Sequence, residues 1–196
     1  LESAVALGRR LGRSFEIVVV DDGSRDESAE RIALARALHP EIRSVQHAAN
    51  RGYGAALRSG LREARGALVF FSDADLQFDL DEVERLLAHS GSFDIVAGYR
   101  SPRRDPFGRR VLAWGWGTLV NALFDLGVRD IDCAFKLFRR EVLAAIPIAS
   151  LGAFINTEML VRARAAGLRI HQLPVTHRPR RAGRPTSASP RVVARA

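Results

Sequence analysis

Cysteine, methionine and lysine each occur once in the 196 residues, as Cys133, Met159 and Lys136. A single cysteine excludes an internal disulfide framework and suits a reducing compartment, so a cytoplasmic location is expected. No run of 18 or more apolar residues occurs, and nothing reads as a membrane-spanning helix. There is no basic-then-apolar leader of the signal-peptide kind, and no internal repeat. The scarcity of lysine throws the basic balance onto arginine. Thirty basic residues stand against 22 acidic ones, a formal charge of +8. That excess is compatible with nucleic acid, an anionic membrane face or a phosphate-rich substrate, and equally with an arginine-rich genome. With 47% hydrophobic residues the chain can build one core, so residues 1–196 are expected to form a single domain. It opens on Leu1 rather than Met, so N-terminal truncation is expected.

Short apolar runs alternate with helical patterns. Leu1 to Arg13 reads as the end of a helix. Ile17 to Val20 is a β-branched run closed by Asp21-Asp22-Gly23-Ser24, the pattern of a strand buried on both faces. A helix capped by Ser24 or Asp26 follows over Glu27 to Leu38, then a strand over Arg43 to His47. The turn Asn50-Arg51-Gly52-Tyr53-Gly54 leads into a helix reaching Arg65. Ala67 to Ser72 and Phe93 to Gly98 read as strands, with a helix over Asp81 to His89 between them. Arg100 to Arg110, with five arginines and two prolines, reads as a mobile loop. Val111 to Val128 is apolar but interrupted. Phe138 to Ile146 and Asn156 to Ala166 read as helices, and residues 180–196 as a poorly ordered basic tail. The alternation predicts an α/β sandwich with a mostly parallel sheet.

Ligands of such sheets bind outside the carboxyl ends of the strands, and two acidic clusters fall there. Asp73 and Asp75 are two residues apart, so in extended backbone both face one side and reach one hard cation, with Gln77 adding an amide oxygen. Mg²⁺ or Mn²⁺ so held offsets the charge of a departing diphosphate; a solvated turn is the plainer reading of the same residues. Asp21 and Asp22 offer acceptors to a nucleobase or ribose, or else simply cap the next helix. Gly52 and Gly54 permit close backbone approach to a ligand, ahead of a helix whose free N–H groups suit anionic oxygens. Arg58, one turn in, reaches toward the same cleft.

The succession Val19 to Ser24, Asn50 to Gly54, Asp73 to Gln77, Asp130-Ile131-Asp132-Cys133-Ala134-Phe135-Lys136, Glu158, and His177 to Gly183 resembles the family 2 glycosyltransferases. Within them it is similar to the dolichyl-phosphate mannosyl- and glucosyltransferase branch. The resemblance implies a GT-A fold and transfer of a hexose, with inversion, from a GDP-mannose or UDP-glucose type donor to a polyprenyl phosphate. By the same resemblance, Asp21, Asp22 and Arg58 lie on the nucleoside side. Asp73, Asp75 and Gln77 hold the metal, and Arg180 closes over the donor. Asp130 and Lys136 flank the acceptor. The chain departs from the family in lacking an opening Pro-x-Tyr-Asn-Glu strand, in Ala134 where glycine is usual, and in Pro185-Thr186 where a Ser-Lys pair is common.

Lys136 inside the Asp130 motif favours a phosphate acceptor. A phosphate monoester is already anionic and needs a cation, whereas a sugar hydroxyl needs a carboxylate base. Asp75, Asp130 and Lys136 are therefore the expected catalytic set, with Asp132 orienting the lysine; a surface lysine at a helix start is the competing reading. Trp114, Trp116, Leu119, Leu123 and Phe124 form either a core helix or an interfacial helix at an anionic membrane surface. The expected location is thus peripheral, at the inner face of the membrane. Transfer to a saccharide hydroxyl is the alternative reaction. A nucleic-acid-binding module is disfavoured, because acidic clusters occupy the strand ends.

Overall fold

The computed structural model describes residues 1–102 and 107–179, so the basic tail and Arg180 lie outside the described residues. Helix α1 (Glu2–Arg10) precedes strand β1 (Ile17–Asp21), helix α2 (Ser28–Leu38), strand β2 (Ile42–Gln46) and helix α3 (Tyr53–Glu63). Strand β3 (Leu68–Ser72), a 3-10 turn (Leu80–Glu82), helix α4 (Val83–His89) and strand β4 (Ile95–Arg100) follow. Helix α5 (Phe107–Phe124), strand β5 (Phe135–Arg139), helices α6 (Arg140–Ala145) and α7 (Ile155–Ala165) and strand β6 (Ile170–Val175) complete the order.

The class is α/β, as expected. Strands β1 and β2 pair in parallel, and a separate sheet has the order β3-β5-β4-β6. In that sheet β3 and β4 are both antiparallel to β5 while β6 is parallel to β4, so three of the four strands run one way. The reversed strand and β6 are the two that sequence periodicity missed. Phe135–Arg139 was expected to lead into a helix from Phe138, but the helix starts at Arg140. Pairing with β3 on one edge and β4 on the other outweighs the local helical pattern.

Side chains alternate across β5 with period two, and this decides which layer each one meets. Phe135 and Leu137 face a core built with Leu86, Val96 and Phe78. Phe138 faces the opposite core, built with Val120, Met159 and Leu160 from α5 and α7. Lys136 shares the face of Phe138 and is therefore directed at α7. Each large side chain buried this way contributes roughly 1.5–3 kcal/mol. Strand β1 differs from expectation: Ile17 to Val20 are half-buried rather than covered on both faces, because β1 pairs with β2 alone. The loop expected over Arg100 to Arg110 is shorter at both ends, since Arg100 closes β4 and Phe107 opens α5.

Candidate active site

The reversal of β5 places its leading loop at the carboxyl end of β3. Ser72 is in register with Phe135, so Asp73 leaves the sheet beside Ala134, and the two motifs share one edge. At the neighbouring end of β4, Arg100 meets Asp130: its Nε lies 2.7 Å from Oδ2 and its Nη2 2.7 Å from Oδ1. Both side chains are under a tenth exposed, 7% and 8%. Asp130 therefore serves here as the partner of a buried guanidinium, a role the sequence reading did not foresee.

Lys136 is fully buried, at 0% exposure, which removes the surface-lysine reading. Its ammonium donates to the carbonyls of Ile131 (3.0 Å) and Cys133 and to Asn156 Oδ1 (3.3 Å). Burial pulls its pKa down, against the opposing pull of Cys133, Asp130 and Asp132. An ammonium was expected to meet an acceptor phosphate directly, but this one is spent on the loop that presents Asp132. Asp132 itself is exposed.

The residues Asp73 to Leu76 form a bend, with Leu76 at φ 60°, rather than the extended backbone assumed from the sequence. The bend is pinned from the far end of the chain. Arg178 N donates to Gln77 O (2.7 Å), Gln77 Nε2 to Arg178 O (3.1 Å), and Phe78 pairs with His177 across an isolated bridge. Among the described residues, no cluster of three or more His, Cys, Asp or Glu side chains is set to hold a metal alone. The donor set is two carboxylates and an amide, all hard oxygen, which suits Mg²⁺ or Mn²⁺ completed by substrate phosphates and water.

Asp21 and Asp22 are turned toward their own loops. Asp21 Oδ1 accepts from Ser24 N (2.9 Å) and Oδ2 from Gln46 Nε2 (3.4 Å). Asp22 accepts from His47 Nδ1 (2.6 Å), Arg51 N (2.9 Å) and Gly52 N (2.8 Å), and His47 Nε2 lies 2.9 Å from Ser59 Oγ. Burial pushes the Asp22 carboxyl up, but His47 and the two backbone N–H groups outweigh it and hold it below the usual range. The expected nucleoside acceptors thus shape the glycine turn, and His47, given no role from sequence, is one of their anchors.

That turn is close-packed. Gly52 has φ +96°, and a Cβ at Gly54 would fall 2.5 Å from Gly152 O. Ala55 N donates to Leu151 O and Arg58 Nη1 to Ala149 O (2.8 Å), so α3 rests on residues 149–152. Glu158 holds those residues in turn. Its carboxylate accepts from Ala149 N, from Ser150 N (2.8 Å) and from Arg162 Nε (2.9 Å). Burial raises its pKa, but the backbone donors of Ser150 and Ala149 and the Arg162 side chain outweigh that and leave it at about 2.

The profile described as Glycosyl transferase family 2 matches residues 1–146. The chain belongs to that family. An undecaprenyl-phosphate 4-deoxy-4-formamido-L-arabinose transferase of Pseudomonas paraeruginosa is 38% identical over 149 residues, 74% of this chain and 44% of that protein. A dolichyl-phosphate beta-glucosyltransferase of Trichomonas vaginalis is 32% identical over 193 residues, 89% of this chain and 57% of the relative. The family 2 chain thus spans about half the length of these curated relatives. Among solved structures, glucosyl-3-phosphoglycerate synthase of Mycobacterium tuberculosis superposes with a TM-score of 0.70 at 26% identity, over 94% of this chain and 67% of the synthase. The GT-A architecture implied by the sequence is thereby shown.

Proposed function

We propose that this family 2 domain transfers a hexose from a nucleoside-diphosphate sugar to a polyprenyl phosphate, with inversion. The observation that carries the reading is the register of Ser72 with Phe135, which sets the Asp73–Gln77 bend beside the Asp130–Ala134 loop. A diphosphate-binding corner and an acceptor-side loop then face one space. In the transfer, the bond from the anomeric carbon to the diphosphate breaks as the bond from that carbon to an acceptor oxygen forms, on opposite faces of the sugar. Asp73, Asp75 and Gln77 would hold Mg²⁺ or Mn²⁺, which when bound offsets charge on the leaving diphosphate. The mycobacterial synthase has been crystallised with Mn²⁺ and UDP; for this chain the metal assignment rests on its own donor set. The glycine turn and the start of α3 supply backbone N–H groups to the nucleotide side, with Arg58 alongside. Lys136 fixes the acceptor loop from beneath.

A lipid acceptor is supported by the relatives named for undecaprenyl and dolichyl phosphates, and by α5. Leu112, Trp114, Leu119, Leu123 and Phe124 are exposed along that helix, while Val120 is buried and Trp116 turns inward to Thr157 and Phe154. No helix among the described residues is long and apolar enough to cross a membrane. An exposed apolar helix face beside a basic segment fits peripheral binding at an anionic surface. A second reading, transfer to a saccharide hydroxyl, is favoured by one observation: Asp132 is an exposed carboxylate in the acceptor loop and has the chemistry of a base.

The test is a radiolabelled transfer assay with UDP- and GDP-hexoses against undecaprenyl phosphate and against oligosaccharides. Label in lipid, lost in EDTA and in Asp75→Asn, is the expected result. Label in oligosaccharide alone moves the second reading ahead, and full activity in EDTA removes the metal.

A further inference from the structure

One run of polar contacts crosses the apolar interior from the glycine turn to the acceptor loop. Asp22 grips the turn through Arg51 N and Gly52 N, and Tyr53 opens α3 immediately after it. Tyr53 is 38% exposed, and its hydroxyl meets Asn156 Nδ2 at 3.4 Å. Asn156, 4% exposed on α7, accepts from Lys136 through Oδ1 at 3.3 Å, and Lys136 donates onward to Ile131 O and Cys133 O. The direction of this run is fixed by chemistry. An ammonium has only donors, so the amide must turn its oxygen to Lys136 and its N–H to Tyr53. The tyrosine oxygen therefore accepts from Asn156, and its own proton points elsewhere.

We propose that Tyr53 and Asn156 are positioning residues that couple the nucleotide-side turn to the acceptor-side loop. A ligand on the glycine turn engages the end of the run at Tyr53, and Asn156 passes the constraint through Lys136 to the backbone of Ile131 and Cys133. Loading the donor site then stiffens the loop that receives the acceptor. The ligand half of this inference rests on the transferase reading; the link between the two segments does not.

Cys133 reports on the loop directly. It is the chain's only cysteine and 0% exposed, and burial raises its thiol pKa to about 12, so a disulfide reagent reaches it only when the loop opens. In the ligand-free protein, Tyr53→Phe should accelerate Cys133 labelling about 3- to 10-fold, the factor for one lost hydrogen bond, with a melting temperature lower by no more than about 6 °C. Tyr53→Met removes the same hydroxyl with a flexible apolar side chain, and serves if Tyr53→Phe is unstable. With Mn²⁺ plus UDP, or Mn²⁺ plus GDP, labelling of the wild type should slow. In either variant the same nucleotide should bind but no longer slow it. Equal protection in wild type and variants overturns the coupling. If neither nucleotide binds, the transferase reading fails and the ligand-free arm decides alone; an unchanged labelling rate there overturns the link.

Discussion

Glu158→Gln removes one negative charge from a carboxylate that holds three donors, and its cost can be worked from the structure. The Glu158 side chain is 8% exposed and accepts from Ala149 N, Ser150 N and Arg162 Nε. These interactions outweigh burial and bring its pKa from 4.5 to about 2. A folded-state pKa below the unfolded one means stability present above the unfolded value and lost as pH falls through the folded one. The full contribution at pH 7 is about 3 kcal/mol, falling to roughly 1.4 kcal/mol at pH 3 and vanishing below pH 2. For a chain of this size, the variant should melt about 6–12 °C lower at neutral pH. The assay is denaturant unfolding of both proteins at pH 7 and pH 3, comparing the gap between them. A gap that halves supports the assignment, and one that is negligible at pH 7 or constant with pH refutes it. The consequence reaches the site, because residues 149–152 carry the acceptors for Arg58 and Ala55. Nucleotide affinity should therefore fall with stability in Glu158→Gln.

Asp130→Ala removes two charge-assisted hydrogen bonds from the buried guanidinium of Arg100 and should cost about 3–5 kcal/mol in denaturant unfolding, whereas replacing both residues by Leu should cost less than either single change. Gly54→Ala forces a Cβ to within 2.5 Å of Gly152 O and should destabilise by about 1–3 kcal/mol. Gly115→Ala on exposed α5, with open space around it, should instead stabilise by about 0.5–1 kcal/mol, and calorimetry reads both signs. Leu112→Ser with Trp114→Ser should abolish co-sedimentation with anionic vesicles while leaving the melting temperature within about 2 °C, since both side chains are exposed. Lys136→Arg should not restore Lys136→Ala, because the site is fully buried and sized for an ammonium; circular dichroism melts of the two variants check this.

The legible parts of the sequence were those where a local signal and the fold agree. Ile17 to Val20 and Ala67 to Ser72 are β-branched or aromatic runs stopped by Asp-Gly or Asp-Ala-Asp, so both acidic strand ends could be located. Asn50 to Gly54 was legible as a glycine turn before a helix, and the structure shows why Gly54 is needed there, since a Cβ would meet Gly152 O. The surroundings were not legible, because they depend on pairing between distant segments. Phe135 to Arg139 carries a pattern that also suits the start of a helix, and only its fit between β3 and β4 makes it a strand. Once it is a strand, alternation sends Lys136 to the face of Phe138, where α7 brings Asn156. The expectation that Lys136 meets a phosphate came from the resemblance, which carries no information on which face of the strand the ammonium takes. The roles of His47 and Tyr53 were invisible for a related reason: each is a lone polar side chain that the fold alone brings to its partner, Asp22 for His47 and Asn156 for Tyr53. Reversal of a single strand, which no local pattern announces, is what brings the Asp73 and Asp130 motifs to one edge of the sheet.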